Sequence, residues 1–311
     1  MTNLNKLARI ALATMFIVPG SVILVGTASA STTQVSEYAF EEQGVDAVAT
    51  DTISANNGVA FGEPTPANSS EVPFTTPENL SSAQFNGQNY FQINNNIGND
   101  FTICAWVKTA SSGGGEHWTS APIADSEVGG PARDFGFGIN YEGKLIFGNG
   151  GLIEGGIVDT AVVGNVVVNN DAWHHLCVTR DGTSGEVKLY ADGVLDATGT
   201  TGTGPITDNA YIKIASGSDG NSSFVGLIDD FKLFTSVLSA EELALITNPV
   251  VDTPETPPTD PTPSPEVTTL ADTGSNQSGS DLLPFAAGLL VFGVFLVFMA
   301  KRRKNHIISH R

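Results

Sequence analysis

The chain has 311 residues, 33 of them Asp or Glu against 14 Lys or Arg, for a formal net charge of −19. Half of the basic residues lie in the two terminal segments, so residues 31–271 carry 7 basic and 31 acidic side chains, 7 − 31 = −24. This balance argues against a nucleic-acid partner, which needs clustered Lys and Arg, and favours a solvated, soluble surface.

Residues 1–30 have the layout of a secretory signal peptide: Lys6 and Arg9, an apolar stretch from Ile10 to Val25, and Ala28-Ser29-Ala30 as a small-residue cleavage site. Ser31 is the expected mature N-terminus. Residues 31–248 follow without a second linker and are long enough for one β domain with a sizeable core.

Strand periodicity begins at Phe101–Lys108, where Phe101, Ile103, Ala105 and Val107 share a face. Short runs of the same kind recur at Phe135–Tyr141, Lys144–Phe147, His174–Arg180, Glu186–Ala191, Ala210–Ala215 and Gly226–Phe234. Gly, Asn and Asp separate them, as in an antiparallel sandwich. Tyr141-Glu142-Gly143-Lys144 and Ala191-Asp192-Gly193-Val194 read as tight hairpin turns. Ser111 to Gly130 reads as a long glycine-rich loop. Ser239–Ile246 reads as a helix, with Ser239 as N-cap and two glutamates in its first turn.

After the domain, residues 249–269 are a Pro/Thr-rich stalk whose composition favours extended polyproline II and cannot bury a core. Leu270-Ala271-Asp272-Thr273-Gly274 comes next, then a polar spacer, an apolar run over 282–300 and a basic tail over 301–311. The run is just long enough to cross a bilayer as a helix, and Lys301, Arg302, Arg303 and Lys304 would hold its end on the cytoplasmic side. This arrangement resembles the sorting signal of bacterial cell-wall-anchored proteins, whose motif is Leu-Pro-x-Thr-Gly. Ala271 stands in the place of the proline, which bears on the class of sortase. The resemblance implies that a sortase cysteine attacks the Thr273 carbonyl, releases Gly274 onward, and transfers the chain to peptidoglycan at the cell surface. An ordinary single-pass membrane anchor is the other reading.

The domain itself resembles the laminin-G-like, concanavalin A-like jelly rolls, a group related in form to the pentraxins. The stretches that carry the likeness are Tyr38–Glu42, Phe85–Ile93, Phe101–Val107, Trp173–Gly182, Leu189–Gly193 and Gly226–Phe231. They imply an all-β antiparallel sandwich. By the same resemblance Cys104 and Cys177, the two cysteines of an exported chain, form a disulfide. The alternative is two buried thiols. A bound Ca2+ is also implied, with Asp51, Asn57 and Asp229 as candidate oxygen donors; these side chains could instead cap turns.

Adjacent residues of a strand face opposite ways, so His174 and His175 cannot grip one ion and read as structural. His117 and Trp118 lie in the glycine-rich loop, where an aromatic could stack on a sugar or fold back onto the domain. Glycoside hydrolysis needs two carboxyl groups about 5–10 Å apart, and the chain has no Glu-x-Asp-x-x-Glu strand of the kind that glucanases of this fold carry. Glu127, Asp134 and Glu154 fall in separate segments. There is no Gly-x-Ser-x-Gly elbow, zinc motif or phosphate loop either. The expectation is a non-enzymatic, wall-anchored binding or adhesion protein for an extracellular carbohydrate or protein. A surface-tethered carbohydrate-active enzyme and a ligand-free architectural protein are the alternatives.

Overall fold

The structure is a computed structural model that describes residues 33–247, apart from 43, 131 and 219–221. The signal segment, stalk, sorting motif, apolar run and basic tail all lie outside the described residues. Among the described residues no helix is long and apolar enough to cross a membrane.

These residues form strands β1 (Gln34–Tyr38), β2 (Val59–Phe61), β3 (Ala67–Ser69), β4 (Ser82–Asn86), β5 (Tyr90–Asn94) and β6 (Phe101–Lys108). A short 3-10 turn at His117–Thr119 precedes β7 (Ala121–Asp125), β8 (Phe135–Ile139), β9 (Lys144–Ile153), β10 (Gly156–Val167) and β11 (Trp173–Arg180). Then come β12 (Glu186–Ala191), β13 (Val194–Thr200), β14 (Tyr211–Ile214), β15 (Val225–Phe234) and the helix α1 (Ala240–Thr247).

The strands make two antiparallel sheets. One runs β13-β12-β11-β6-β15-β4-β3, with β1 also on β15; the other runs β10-β9-β8-β7-β14-β5-β2. The all-β sandwich expected from the sequence is therefore what the chain adopts. Alternation sends Phe91, Ile93, Phe135, Phe137, Phe147, Ile212 and Ile214 of the second sheet inward against Phe85, Phe101, Ile103, Val107 and Ile228 of the first. Phe101, Phe135 and Phe147 meet across the layers with ring centroids about 6 Å apart. Arg180 is fully buried, and its guanidinium donates to the carbonyls of Asn99, Gly202 and Gly204. Burial lowers its pKa to about 10.

Both hairpin turns form where the sequence placed them, with Gly143, Asp192 and Gly193 at positive φ. The glycine-rich segment differs from its reading as one loop, because β7 runs through it. Ala121-Pro122-Ile123-Ala124 gives no alternation, since loops cover its outer side and every residue is buried. The long hairpin of β9 and β10 also goes beyond Lys144–Phe147; it turns at Glu154-Gly155, both at positive φ.

Cys104 and Cys177 are direct cross-strand partners of β6 and β11 and form a disulfide, with Cα atoms 4.2 Å apart. They lie on the outer side of their sheet, beneath α1, in a small second core with Tyr190, Phe234, Leu238 and Leu243. A reciprocal cap holds the helix: Glu242 N donates to Ser239 Oγ at 3.2 Å, and Ser239 N donates to Glu242 Oε2 at 2.8 Å.

Candidate functional site

The outer face of the seven-stranded sheet has two halves. Over β8 and β9 the outward positions are Gly136, Gly138, Gly148 and Gly150; His117, Ser120 and Ala121 lie down on the first three, and Ala132 lies on Gly150. A Cβ at Gly148 would collide with the His117 ring, and one at Gly138 with Ala121 and Ser120. Over β14, β5 and β2 the outward residues are instead Tyr211, Lys213, Gln92, Tyr90 and Phe61. A cavity of about 430 Å3 opens there, lined by Gln92, Glu127, Asp208, Asn209, Tyr211 and Lys213.

Register explains this grouping. Lys213 pairs with Gln92 on one side and with Asp125 on the other, and Tyr211 pairs with Asn94. These side chains therefore stand in one row across the sheet. Beside the cavity, Phe61 and Tyr90 stack with centroids 5.1 Å apart and planes 9° from parallel, and the Lys213 ammonium lies 4.9 Å from the Tyr90 ring centre. Tyr211 is 46% exposed, so an apolar ring faces solvent at the rim.

Under the seam between the halves lie carboxylates that the sequence left in separate segments. Asp125, at the end of β7, accepts the N–H groups of Glu127 and Ser218 on Oδ1, at 3.0 and 2.9 Å. Asp134 accepts Val128 N on Oδ2 at 2.6 Å. Both are 1% exposed, and Asp125 Oδ2 and Asp134 Oδ1 have no hydrogen-bond partner. Burial pushes Asp125 up to about 6; burial and then the Glu127 charge push Asp134 up to about 7. Glu127 Oε1 lies 3.0 Å from His117 Nε2. Burial lowers the His117 pKa against the opposing charges of Asp159, Asp134 and Asp125. Glu127 alone of the three acids reaches the cavity wall. Glu154 stays apart, in the turn between β9 and β10.

Of the residues singled out from the sequence, His117 is turned into the domain at 1% exposure, edge-on to Trp118, while Trp118 is 36% exposed and does not line the cavity. Asp51 and Asn57 meet, since Asp51 N donates to Asn57 Oδ1 at 2.9 Å. The Asp51 carboxylate is occupied by the N–H groups of Glu37, Ile53 and Ser54 and by the Ser54 hydroxyl. Asp229 is placed among other groups, on the outer side of the eight-stranded sheet. There Asp230 N donates to its Oδ1 at 2.8 Å, and the Asn79 amide nitrogen, oriented to donate, is 3.2 Å from its Oδ2 and from Glu41 Oε1. The two histidines do point opposite ways: His174 faces Asp192 and Asn170, and His175 is buried against Trp106 and Thr247. Among the described residues, His175 and the two bridged cysteines are the one group of three potential metal ligands within 4.8 Å, and the disulfide uses both sulfurs.

Gln92, Tyr211 and Lys213 went unread in the sequence. The signal was there in the alternation of Tyr90-Phe91-Gln92-Ile93 and Tyr211-Ile212-Lys213-Ile214, which sets aromatic and polar groups on the side away from the core.

Two antiparallel sheets stacked in this strand order define a jelly-roll sandwich. Residues 85–244 match a laminin-G-type model of the concanavalin A-like lectin/glucanases superfamily, just over half of the chain, and the protein belongs to that superfamily. No curated protein matches the chain at the same stringency. Domain 4 of AbnA, a GH43 extracellular arabinanase from Geobacillus stearothermophilus solved with arabinotriose, is similar at 18% identity and a TM-score of 0.53. That alignment covers 70% of this chain and 98% of the other. The binding domain of Paraclostridial Mosquitocidal Protein 1 is similar at 13% identity and a TM-score of 0.50, over 70% of this chain and 52% of that one. The chain thus spans about half the length of that toxin domain. At such identities the likenesses establish the fold.

Proposed function

We propose that this is an exported surface protein whose jelly roll binds an extracellular glycan without turning it over. The observation that carries the reading is the cavity of about 430 Å3, where the exposed ring of Tyr211 stands beside Gln92, Asn209 and Lys213. An apolar ring among a few convergent polar groups suits a sugar, which offers C–H faces and hydroxyl edges together. The arabinotriose complex of the arabinanase domain supports a sugar over a protein ligand. Binding is favoured over hydrolysis because Asp125 and Asp134 are sealed below the surface and, of the two acids that line the cavity, Asp208 is held by the Arg133 guanidinium, which leaves Glu127 without a second carboxyl group to act with. A calcium ion finds better donors in Asp125 and Asp134, each with a buried free oxygen, than in Asp51 or Asp229.

Delivery and anchoring complete the proposal. Residues 1–30 direct export, Leu270-Ala271-Asp272-Thr273-Gly274 is the sortase substrate, and the 282–300 helix holds the chain in the membrane until transfer to peptidoglycan. Mass spectrometry of wall digests should find a peptide ending at Thr273 on a wall fragment; intact peptides spanning Thr273-Gly274 from membranes alone would defeat this part. For the site, the purified protein is tested on an immobilised polysaccharide array alongside Tyr211→Ala. The variant should lose at least tenfold in affinity with an unchanged melting temperature. Undiminished binding by the variant would remove the cavity from the proposal, and release of reducing ends from the bound polysaccharide would replace binding with catalysis.

A further inference from the structure

The domain is strongly acidic, yet among the described residues one lysine stands without a carboxylate partner. Lys108, Lys144, Lys188 and Lys232 each form an ion pair with a neighbouring carboxylate, and Arg133 does so with Asp208 at 2.8 Å. Arg180 is buried on backbone carbonyls. Lys213 has no carboxylate partner among the described residues. Its ammonium makes long contacts with the carbonyls of Gly217 and Ser218, at 3.5 and 3.3 Å, and lies 4.9 Å from the centre of the Tyr90 ring, none of which neutralises its charge.

Its position adds to this, because Lys213 lines the cavity. The two acids of the same wall are engaged elsewhere: Asp208 by the Arg133 fork, Glu127 through Oε1 at His117. An ammonium in a concave site, with an incomplete set of acceptors, the Tyr90 ring beside it and the exposed Tyr211 ring in the same cavity, is arranged to receive an anionic group of a ligand that stacks on Tyr211. The overall charge limits that anion. A domain with 27 acids against 7 bases over residues 31–248 repels a polyanion at long range. A single negative charge on an otherwise neutral sugar meets Lys213 with little of that opposition.

We propose that the cavity selects a sugar residue bearing one negative charge, a carboxylate or a sulfate ester, with Lys213 as its counter-ion. This rests on the glycan-binding reading above and adds the charge of the ligand. The test uses the purified full chain and calorimetric titration with methyl glycosides of glucose, galactose and mannose, each as the neutral sugar, the hexuronate and the 6-sulfate. At least one charged member should bind about tenfold or more tightly than its neutral parent, the range of a charge-assisted hydrogen bond. Lys213→Met should erase that preference, bringing charged and neutral members to one affinity, and Lys213→Arg should retain it. Whether the hexuronate or the sulfate is preferred identifies the anion. Equal affinity for charged and neutral members, with Tyr211→Ala still abolishing both, overturns the charge inference and leaves glycan binding standing. Absence of binding across the whole panel overturns both.

Discussion

Replacing Asp229 by Asn should change how stability depends on pH. Asp229 is 1% exposed in β15, next to the irregular step where β15 shifts register against β6 between Asp229 and Lys232. Burial, then the charges of Asp230 and Glu41, push its pKa from 3.8 to about 8. The folded state therefore keeps a proton that the unfolded chain gives up near pH 4. Its contribution is fully present below that value, is lost as pH rises toward 8, and is constant above. A shift of about four units corresponds to roughly 6 kcal/mol at about 1.4 kcal/mol per unit, an upper figure because water relaxes around a buried charge. Asn keeps the acceptor for Asp230 N and carries no charge. Urea denaturation followed by tryptophan fluorescence at pH 4 to 9 should show wild type losing several kcal/mol more than Asp229→Asn, with the two close to equal at pH 4. Asp125 and Asp134 tilt both curves in the same direction, so the difference between the curves isolates Asp229. Parallel pH profiles for the two proteins would refute the reasoning.

Removing the disulfide as Cys104→Ala with Cys177→Ala releases a loop of 73 residues and should cost about 4 kcal/mol on the chain-entropy model, read from denaturation midpoints; a loss below about 1 kcal/mol would show that the cross-strand pairing and α1 suffice. Gly148→Ala should destabilise by about 1–3 kcal/mol through overpacking against His117, and its melting temperature should fall accordingly. An unchanged value would mean that the Gly113–Ser120 segment is not seated on the sheet. Millimolar calcium should raise the melting temperature of wild type and of Asp51→Asn but not of Asp134→Asn. Equal shifts in all three, or none in wild type, would reject Asp134 as a donor.

What was legible in the sequence was whatever repeats with the period of a strand or depends on a single position. The alternation at Phe101–Val107, the positive-φ glycines at 143 and 193, and the Ser239 cap all appear where the residues required them. β7 was hidden because both its faces are covered, which erases the alternation that betrays a strand. The site was hidden for a related reason. Gln92, Glu127 and Lys213 are far apart in the chain, and only the order β7-β14-β5 brings them side by side. Asp51, Asn57 and Asp229 share residue types with calcium ligands, but type alone does not say which of them meet: Asp51 and Asn57 do, and Asp229 sits with Asp230 and Asn79.

By itself the sequence determined the all-β class, the acidic surface, the cysteine pair, and the terminal segments on which the proposed export and anchoring rest. These follow from composition, periodicity and short motifs, and all are local. Tertiary structure alone decided that Asp125 and Asp134 are each buried near Glu127, that His117 faces inward over a glycine floor, and that among the described residues Lys213 is the lysine left without a carboxylate. Each of these depends on which strands lie next to one another, and that neighbourhood is set by the packing of the two sheets as a whole.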